Sequence, residues 1–295
     1  MKILLLGSNG QLGSDILRFN KKLVKPFEFI PWTRKDLDVQ NTKQIEEKLA
    51  SIEFDCLINC ISYTNTEKAE KNIQDAFEVN AFCIKEMVKA CKNNHAKFFQ
   101  ISTDYIFSHG STPLTECAAP SPLSVYGASK LLGESLALSL YENVTVFRVA
   151  SLFGIAGASG KGGNFVETMI RVGNERGRLT VISDQIMSPT STADLANLIL
   201  KALTVSIPNG IYNAVNTGNT SWYQFAKLII EKADVNAKVE PILGCDYPSA
   251  ILRPSYSALD NSKLTKLIGN IPTWEDALTR YLEEKGHISY ELRKS

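Results

Sequence analysis

Tyr126 and Lys130 stand four residues apart in Val125-Tyr126-Gly127-Ala128-Ser129-Lys130. Residues at i and i+4 of an α-helix lie about one turn apart on one face, so both side chains project into the same space. A free phenol has a pKa near ~10 and a free ammonium near ~10.4. An ammonium held beside a phenol favours the phenolate and lowers its pKa. A tyrosine tuned in this way can exchange a proton with an alcohol or carbonyl oxygen. Upstream, the apolar run Lys97-Phe98-Phe99-Gln100-Ile101 ends in Ser102-Thr103-Asp104-Tyr105. The hydroxyl of Thr103, with Ser102 as a second candidate, can hydrogen-bond the same oxygen. Hydroxyls at a strand end followed by Tyr-x-x-x-Lys suit a hydride-transfer enzyme that must deliver a proton at neutral pH. The pair alone also arises by chance, so the remaining motifs decide.

Those residues need a frame. Gly7-Ser8-Asn9-Gly10-Gln11-Leu12-Gly13 follows the apolar run Ile3–Leu6 and opens a helical pattern. Its glycines are spaced G-x-x-G-x-x-G, which differs from the G-x-G-x-x-G dinucleotide fingerprint, but the mechanics carry over. Glycine permits a tight turn and close backbone approach, and a helix N-terminus offers free N–H groups to a pyrophosphate. An acidic residue after the second strand would favour NAD. Here that strand ends Trp32-Thr33-Arg34-Lys35. Arg34 and Lys35 either meet a 2′-phosphate or are solvated loop cations. The lean is to NADPH, with NADH as the alternative. Asp38 and Val39 are placed to flank the adenine.

The pattern of elements is βαβα. Strands are predicted over 3–6, 27–32, 56–60, 97–102, 144–149 and 210–215. Helices are predicted over 12–19, 42–50 (capped by Asn41 or Thr42), 73–93, 125–141, 165–175, 193–203, 221–232 and 273–284. Short continuous apolar strands suit a parallel sheet buried on both faces. The fold class is therefore α/β, a doubly wound parallel sheet (Rossmann) with a second, smaller α/β substrate lobe. Residues 1–150 form the dinucleotide-binding domain, segments about 184–215 return to it, and 151–295 form mainly the substrate-binding lobe. The Gly-rich loop 153–164 contains no P-loop match; it is either a surface loop or a mobile segment near the substrate mouth.

The 295 residues carry a net charge of +1, which predicts no attraction to nucleic acid or membrane. No apolar stretch approaches the ~20 residues of a membrane span. The N-terminal run is Gly-interrupted and reads as a strand, not a signal peptide. The six cysteines form no CxxC pair and no metal-like cluster with the three histidines. Cys56, Cys60, Cys83 and Cys91 fall on apolar-patterned elements and read as reduced core residues. A cytosolic protein follows.

With these residues quoted, the chain resembles the extended short-chain dehydrogenase/reductases, and within them the dTDP-4-dehydrorhamnose reductase family. Further markers are Asn59 with Tyr63-Thr64, Lys68-Ala69-Glu70, Val79-Asn80, Tyr105-Ile106-Phe107, Gly133-Glu134, Asn164-Phe165-Val166, Asp184-Gln185, Ser188-Pro189-Thr190 and Arg253-Pro254. The resemblance runs nearly end to end. It implies reduction of the C4 keto group of dTDP-6-deoxy-L-lyxo-4-hexulose to give dTDP-L-rhamnose. Tyr126 would protonate the emerging alkoxide, Lys130 would lower its pKa and hold the nicotinamide ribose, and Thr103 would orient the carbonyl. Thr64 and Tyr105 would line the sugar site, with Asp104, Ser151 and Asn164 as further substrate residues. Asn80 would sit near the cofactor, and Cys60, Ile61 and Ser62 would approach it through backbone. A homodimer is compatible with the resemblance.

Two departures matter. Other family members carry a tryptophan near the sugar where this chain has Ser151, which puts the sugar in question. Some members use magnesium held by acidic residues at a dimer contact; Asp15 lies in that region but reads better as a surface carboxylate, so no metal ligand is assigned. Dehydratases of this fold need a glutamate where Tyr105 stands. Three alternatives stay open: a related 4-keto sugar-nucleotide reductase, an epimerase, and a non-catalytic NADP-binding subunit similar to the regulatory subunit of methionine adenosyltransferase.

Overall fold

The computed structural model describes residues 1–157, 163–249 and 251–288. The chain begins with β1 (Lys2–Leu6), α1 (Gln11–Asn20), β2 (Glu28–Trp32), α2 (Thr42–Ala50) and β3 (Cys56–Asn59). It continues through α3 (Thr66–Lys71), α4 (Ile73–Phe77), a π turn (Glu78–Phe82), α5 (Ile84–Asn93), β4 (Lys97–Thr103), α6 (Val125–Leu140) and β5 (Val144–Val149). Next come β6 (Leu152–Phe153), α7 (Phe165–Arg176), β7 (Arg178–Ile182), β8 (Ile186–Met187), β9 (Thr190–Ser191) and α8 (Thr192–Val205). The last elements are β10 (Gly210–Asn213), β11 (Thr220–Ser221), α9 (Trp222–Lys232), β12 (Lys238–Ile242), α10 (Ser262–Ile268) and α11 (Trp274–Glu284).

Six strands form one parallel sheet in the order β10-β5-β4-β3-β1-β2. The apolar run of β1 explains its central place. Ile3 and Leu5 point into a layer with Leu12 and Ile16 of α1 and Leu195 and Ile199 of α8. Leu4 and Leu6 point the other way, toward Ile45 and Leu49 of α2 and Met87 of α5. Alternate side chains of one strand therefore anchor both helical layers. The chain runs from β1 outward to β2, then crosses back to β3 on the far side of β1. That reversal opens a crevice beyond the C-terminal ends of β1 and β3, the position where doubly wound sheets bind ligands. A third cluster packs Phe153, Ile170, Phe225, Trp274 and Leu278, beside the parallel pair β7 and β12.

The predicted 73–93 helix is not continuous. It is α4, a π turn and α5, and α3 precedes it where no helix was read. Asn80 explains the interruption. Its Oδ1 accepts the Tyr63 N–H at 2.8 Å and the Ser62 hydroxyl at 3.1 Å. Its Nδ2 donates to Ser129 Oγ at 2.9 Å. A wide turn lets this buried amide reach three partners on two other segments, and such bulges recur near functional sites. The strands β6 to β9, β11 and β12 and the helix α10 also escaped the periodicity reading. All are two to seven residues long, too short for a repeat to register.

Gly133 of α6 packs against this turn. A Cβ there would lie 2.2 Å from the Asn80 carbonyl oxygen. Gly133→Ala is therefore expected to lower unfolding free energy by roughly 2 kcal/mol, read from the midpoint of urea unfolding followed by circular dichroism.

Candidate active site

A cavity of about 740 Å³ occupies the crevice. Its floor begins at the turn after β1. Gly7 has φ 74°, a left-handed conformation that favours glycine. A Cβ on Gly7 would meet the Cys60 carbonyl carbon at 3.1 Å. Gly10 caps α1 without any side-chain hydrogen bond, so the first N–H groups of that helix open toward the crevice. These features fit a dinucleotide: a turn stripped of Cβ atoms, with helix N–H groups facing the space where a pyrophosphate would sit. Asn9, Gln11 and Leu12 line the same wall. Gly13 does not. Its missing Cβ would lie 2.4 Å from the Gly7 carbonyl oxygen, so Gly13 lets α1 close onto the turn behind the cavity.

At the end of β2, Arg34, Asp38 and Val39 line the cavity. Arg34 is exposed, and its nearest partner is Gln40 Oε1 at 3.4 Å. Lys35 is not on the lining. Past β3, Cys60, Ile61, Ser62 and Thr64 form the opposite wall. Asn80, expected near the cofactor, lies behind this wall at 1% exposure and holds the Ser62–Tyr63 backbone in place. Cys60 belongs to the wall, whereas Cys56, Cys83 and Cys91 are buried. Burial pushes the Cys60 thiol up to about 12.

Tyr126 and Lys130 meet Thr103 in this space. Ser124 caps α6 by accepting the Gly127 N–H at 3.1 Å, and the Glu70 carboxylate accepts the Val125 N–H at 2.9 Å. Gly127 permits close contact with the strand end: a Cβ would lie 2.2 Å from the Tyr105 carbonyl oxygen. Tyr126 is thus set in the first turn of α6. Its ring lies edge-on to Tyr105 at 5.7 Å, and Thr103 and Ser62 line the same cavity beside it.

The expected electrostatics differ. Lys130 donates through Nζ to the Ile101 carbonyl at 2.6 Å and is 2% exposed. Burial lowers its pKa to about 8. Burial raises the Tyr126 phenol above its ordinary value, and the neighbouring Thr103 and Ser62 only partly oppose this. Loss of water outweighs any field from the ammonium, which is turned toward the strand. The phenol is therefore not acidified by its neighbour; it is held protonated.

Asp104, Tyr105, Ser151 and Asn164 also line the cavity. Ser151 adopts φ 45°, a conformation that costs a non-glycine residue about 1 kcal/mol. Asn164 is committed to its own helix. It caps α7 by accepting the Glu167 N–H at 3.1 Å, and its amide donates to the Gly154 carbonyl and the Tyr281 hydroxyl, both at 3.0 Å. Within the Gly-rich loop, residues 158–162 lie outside the described residues, while Gly163 lines the cavity. Asp15 is not a surface carboxylate. It is 3% exposed, pairs with Arg18 at 2.8 Å and accepts the Thr192 hydroxyl. Among the described residues no group of three or more His, Cys, Asp or Glu could hold a metal ion.

Arg253, Phe165 and Trp222 are among the lining residues that the sequence reading did not assign to the site. Arg253 has a buried Nε without a partner, and its guanidinium lowers the otherwise raised pKa of Tyr105. Its signal was available: no carboxylate occurs between Asp246 and Asp260 to neutralise it. Phe165 and Trp222 present rings 4.6 Å apart on the same cavity. Both sit at helix starts, where periodicity assigns them to packing.

A doubly wound sheet, a glycine turn at its crevice and Tyr-x-x-x-Lys facing a strand-end threonine together define an extended short-chain dehydrogenase/reductase. The family described as RmlD substrate binding domain matches residues 1–286, and the chain belongs to it. The dTDP-4-dehydrorhamnose reductase of Escherichia coli (strain K12) is 32% identical over 297 residues, covering 96% of this chain and 98% of that one. The crystal structure of a dTDP-4-dehydrorhamnose reductase from Clostridium acetobutylicum ATCC 824 superposes with TM-score 0.90 at 34% identity, covering 97% of this chain and all of the other. The dTDP-4-dehydrorhamnose reductase of Bacillus anthracis str. Ames, solved in complex with NADP, gives TM-score 0.85 at 33% identity over 96% and 99% of the chains. No helix among the described residues is long and apolar enough to cross a membrane.

The cysteine environments yield a test. Cys117 and Cys245 are exposed, whereas the other four are buried or on the cavity wall. Iodoacetamide at pH 8 is expected to label Cys117 and Cys245 first, with Cys60 at least tenfold slower; peptide mass spectrometry reads the order.

Proposed function

We propose that this protein reduces the C4 keto group of dTDP-6-deoxy-L-lyxo-4-hexulose (dTDP-4-dehydrorhamnose) to the alcohol of dTDP-L-rhamnose, using NADPH. The observation that carries this reading is the meeting of Tyr126, Lys130 and Thr103 in one cavity with the glycine turn. The relatives named for this reaction, similar over their whole length, support the choice of sugar nucleotide. The α1 turn would hold NADPH, Arg34 would meet its 2′-phosphate, and the bound cofactor would supply the hydride. The turn residues Gly7 and Gly10 give the backbone its close approach. The six-stranded sheet serves as the dinucleotide-binding part, with 184–215 returning to it through β10, and the residues after Ser151 supply most of the substrate side.

The chain's residues handle the proton. As charge grows on the C4 oxygen, Tyr126 passes its hydroxyl proton to it, and the O–H bond of the phenol breaks as the O–H bond of the product forms. A phenol whose pKa burial has raised keeps that proton at neutral pH until a stronger base appears beside it. Lys130 is about nine-tenths ammonium at pH 7 given its pKa of about 8, so it supplies positive charge near the phenolate left behind. Arg253, with a free Nε, offers the cation for the diphosphate. Asp104 followed by Tyr105 argues against a dehydratase.

Loss of NADPH absorbance against a panel of keto-sugar nucleotides tests the reading. Stoichiometric consumption with the 4-keto-6-deoxy dTDP sugar is expected. Cofactor retention with no net consumption would mark an epimerase. No consumption with any keto sugar, combined with tight binding to another enzyme, would mark a regulatory subunit.

Two variants probe the residues. Tyr126→Phe is expected to lose roughly 10²–10⁴-fold in kcat with NADPH affinity within twofold, because only the proton donor is gone. Arg34→Ala is expected to weaken NADPH roughly tenfold while leaving NADH almost unchanged; equal losses for both cofactors in calorimetric titration would remove Arg34 from 2′-phosphate recognition.

A further inference from the structure

Tyr281 of α11, with Glu167 and His287, stands behind the first turn of α7 and does not line the cavity. The Tyr281 hydroxyl meets Glu167 Oε1 at 2.7 Å, and His287 Nε2 lies 3.1 and 3.2 Å from the two oxygens of that carboxylate. The Tyr281 oxygen also accepts the Asn164 amide, whose bonds to the Gly154 carbonyl and from the Glu167 N–H complete the set. Tyr281 is 4% exposed and Asn164 8%. The start of α7, α11 and the residues after α11 therefore converge on one side chain of the cavity wall.

One assignment of hydrogens satisfies the set. An ionised carboxylate only accepts, and a phenol has one proton. Burial works against the Glu167 charge, but the bonds from Tyr281 and His287, helped by the Lys285 charge, outweigh it and hold the carboxyl below the usual glutamate value. Glu167 is therefore a carboxylate at neutral pH. Burial also keeps the Tyr281 phenol protonated by raising its pKa. Its proton goes to Glu167, and only lone pairs remain for Asn164. The Gly154 carbonyl likewise offers only lone pairs. Both amide hydrogens of Asn164 are thus assigned, and its Oδ1 is left for the Glu167 N–H. A flipped amide would set Oδ1 against two acceptors and an N–H against a donor. With no carboxylate to receive it, the Tyr281 proton would turn to Asn164 and give the flipped form a partner.

We propose that Tyr281 is a positioning residue for sugar-nucleotide binding: its hydrogen bonds lock the Asn164 amide in one orientation and so hold the start of α7 against Gly154. This rests on the proposed reduction, in which the residues after Ser151 face the sugar nucleotide. The wall concerned is made of Phe153, Gly163, Asn164, Phe165 and Thr168. Phe153 adjoins Gly154, and its ring packs edge-on against Tyr281 at 5.4 Å. Phe165 follows Asn164 directly, and the Thr168 hydroxyl donates to the Asn164 carbonyl at 2.9 Å. The proton donor and the glycine turn sit on other elements, α6 and the β1–α1 junction. Loss of the lock therefore acts on substrate affinity and spares cofactor affinity.

The test uses Tyr281→Phe, Glu167→Ala, Glu167→Gln and Asn164→Ser beside the wild-type protein. Tyr281→Phe removes one oxygen and keeps the ring. It is expected to raise KM for the keto-sugar nucleotide and the Kd of dTDP-L-rhamnose roughly tenfold, with kcat within about threefold and NADPH affinity within about twofold. Glu167→Ala, at a half-buried position, is expected to do the same. Glu167→Gln still accepts the phenol proton and is expected to restore both. Asn164→Ser keeps a helix cap but loses the amide; adding Tyr281→Phe to it should cost little more, because the two residues act through one another. Nitrogen-15 NMR of asparagine-labelled protein, assigned with Asn164→Ser, reads the lock without turnover: the Asn164 side-chain hydrogens should exchange with solvent roughly tenfold faster in Tyr281→Phe. KM and product affinity unchanged in Tyr281→Phe and Glu167→Ala would overturn the proposal, as would unchanged amide exchange. So would additive losses in the double variant, or a joint loss of kcat and NADPH affinity that Glu167→Gln shares. A wild-type protein inactive on every keto sugar would overturn the reductase reading alone, since the amide exchange still decides whether Tyr281 locks Asn164.

Discussion

Burial of Lys130, with partial burial of Tyr126 at the cavity wall, governs the rest of the site. Taking a phenol and an ammonium out of solvent penalises the charged form of each, which raises one pKa and lowers the other. Both shifts have that cause first. The result suits a reduction, in which the enzyme must hold a proton before the carbonyl arrives and release it as negative charge develops. An acidified phenol would serve the reverse direction, abstraction from an alcohol, better. The packing that excludes water is therefore part of the chemistry. The Glu134–Arg148 pair, at 2.8 Å and almost fully buried, ties the helix bearing Tyr126 to β5. Gly127 lets that helix approach the segment after β4 closely, and Gly133 lets it approach the π turn.

Much of the sheet was legible in the chain. β5 and α2 keep the bounds that periodicity assigned, and Asn41 caps α2 by accepting the Gln44 N–H. The other sheet strands and main helices shift by no more than two residues at either end, the 73–93 segment apart. Long parallel-sheet strands are apolar throughout because both faces are covered, and that signal is local. What failed was set by tertiary contact. The π turn exists because Asn80 reaches Ser62, Tyr63 and Ser129, and no periodicity encodes those partners. The strands β7 and β12 are paired across about sixty residues and carry mixed polar and apolar faces.

The site was legible in its residue types and less so in its roles. Spacing alone placed Tyr126 and Lys130 on one helical face. It could not show that the Lys130 amine turns to the Ile101 carbonyl, because the helix offers that direction and the phenol's direction equally. Gly13 and Asn80 follow the same logic. Their types suggest ligand contact, but the structure spends both on backbone approach: Gly13 closes α1 onto its turn, and Asn80 fixes the loop bearing Ser62. Arg253 was quoted only as a family marker although its stretch lacks a neutralising carboxylate, and Trp222 went unread because nothing in its local sequence distinguishes a cavity wall from a core.

The distribution of these residues along the chain has a physical consequence. The proton donor and its amine sit on α6, the hydroxyl that shares their cavity ends β4, and the cation with the free Nε arrives with the segment after residue 250. A carboxylate at the end of β4 bonds that last segment through Ser257. A buried carboxylate is tolerated only where donors surround it, so the late segment and the β4 end stabilise each other. The cost of burying Asp104 is met by a residue from the part of the chain that would carry substrate contacts. Loosening that segment would therefore disturb Asp104 and Thr103 as well, and the chemistry at the sheet edge cannot be fully assembled until the chain after residue 250 is in place.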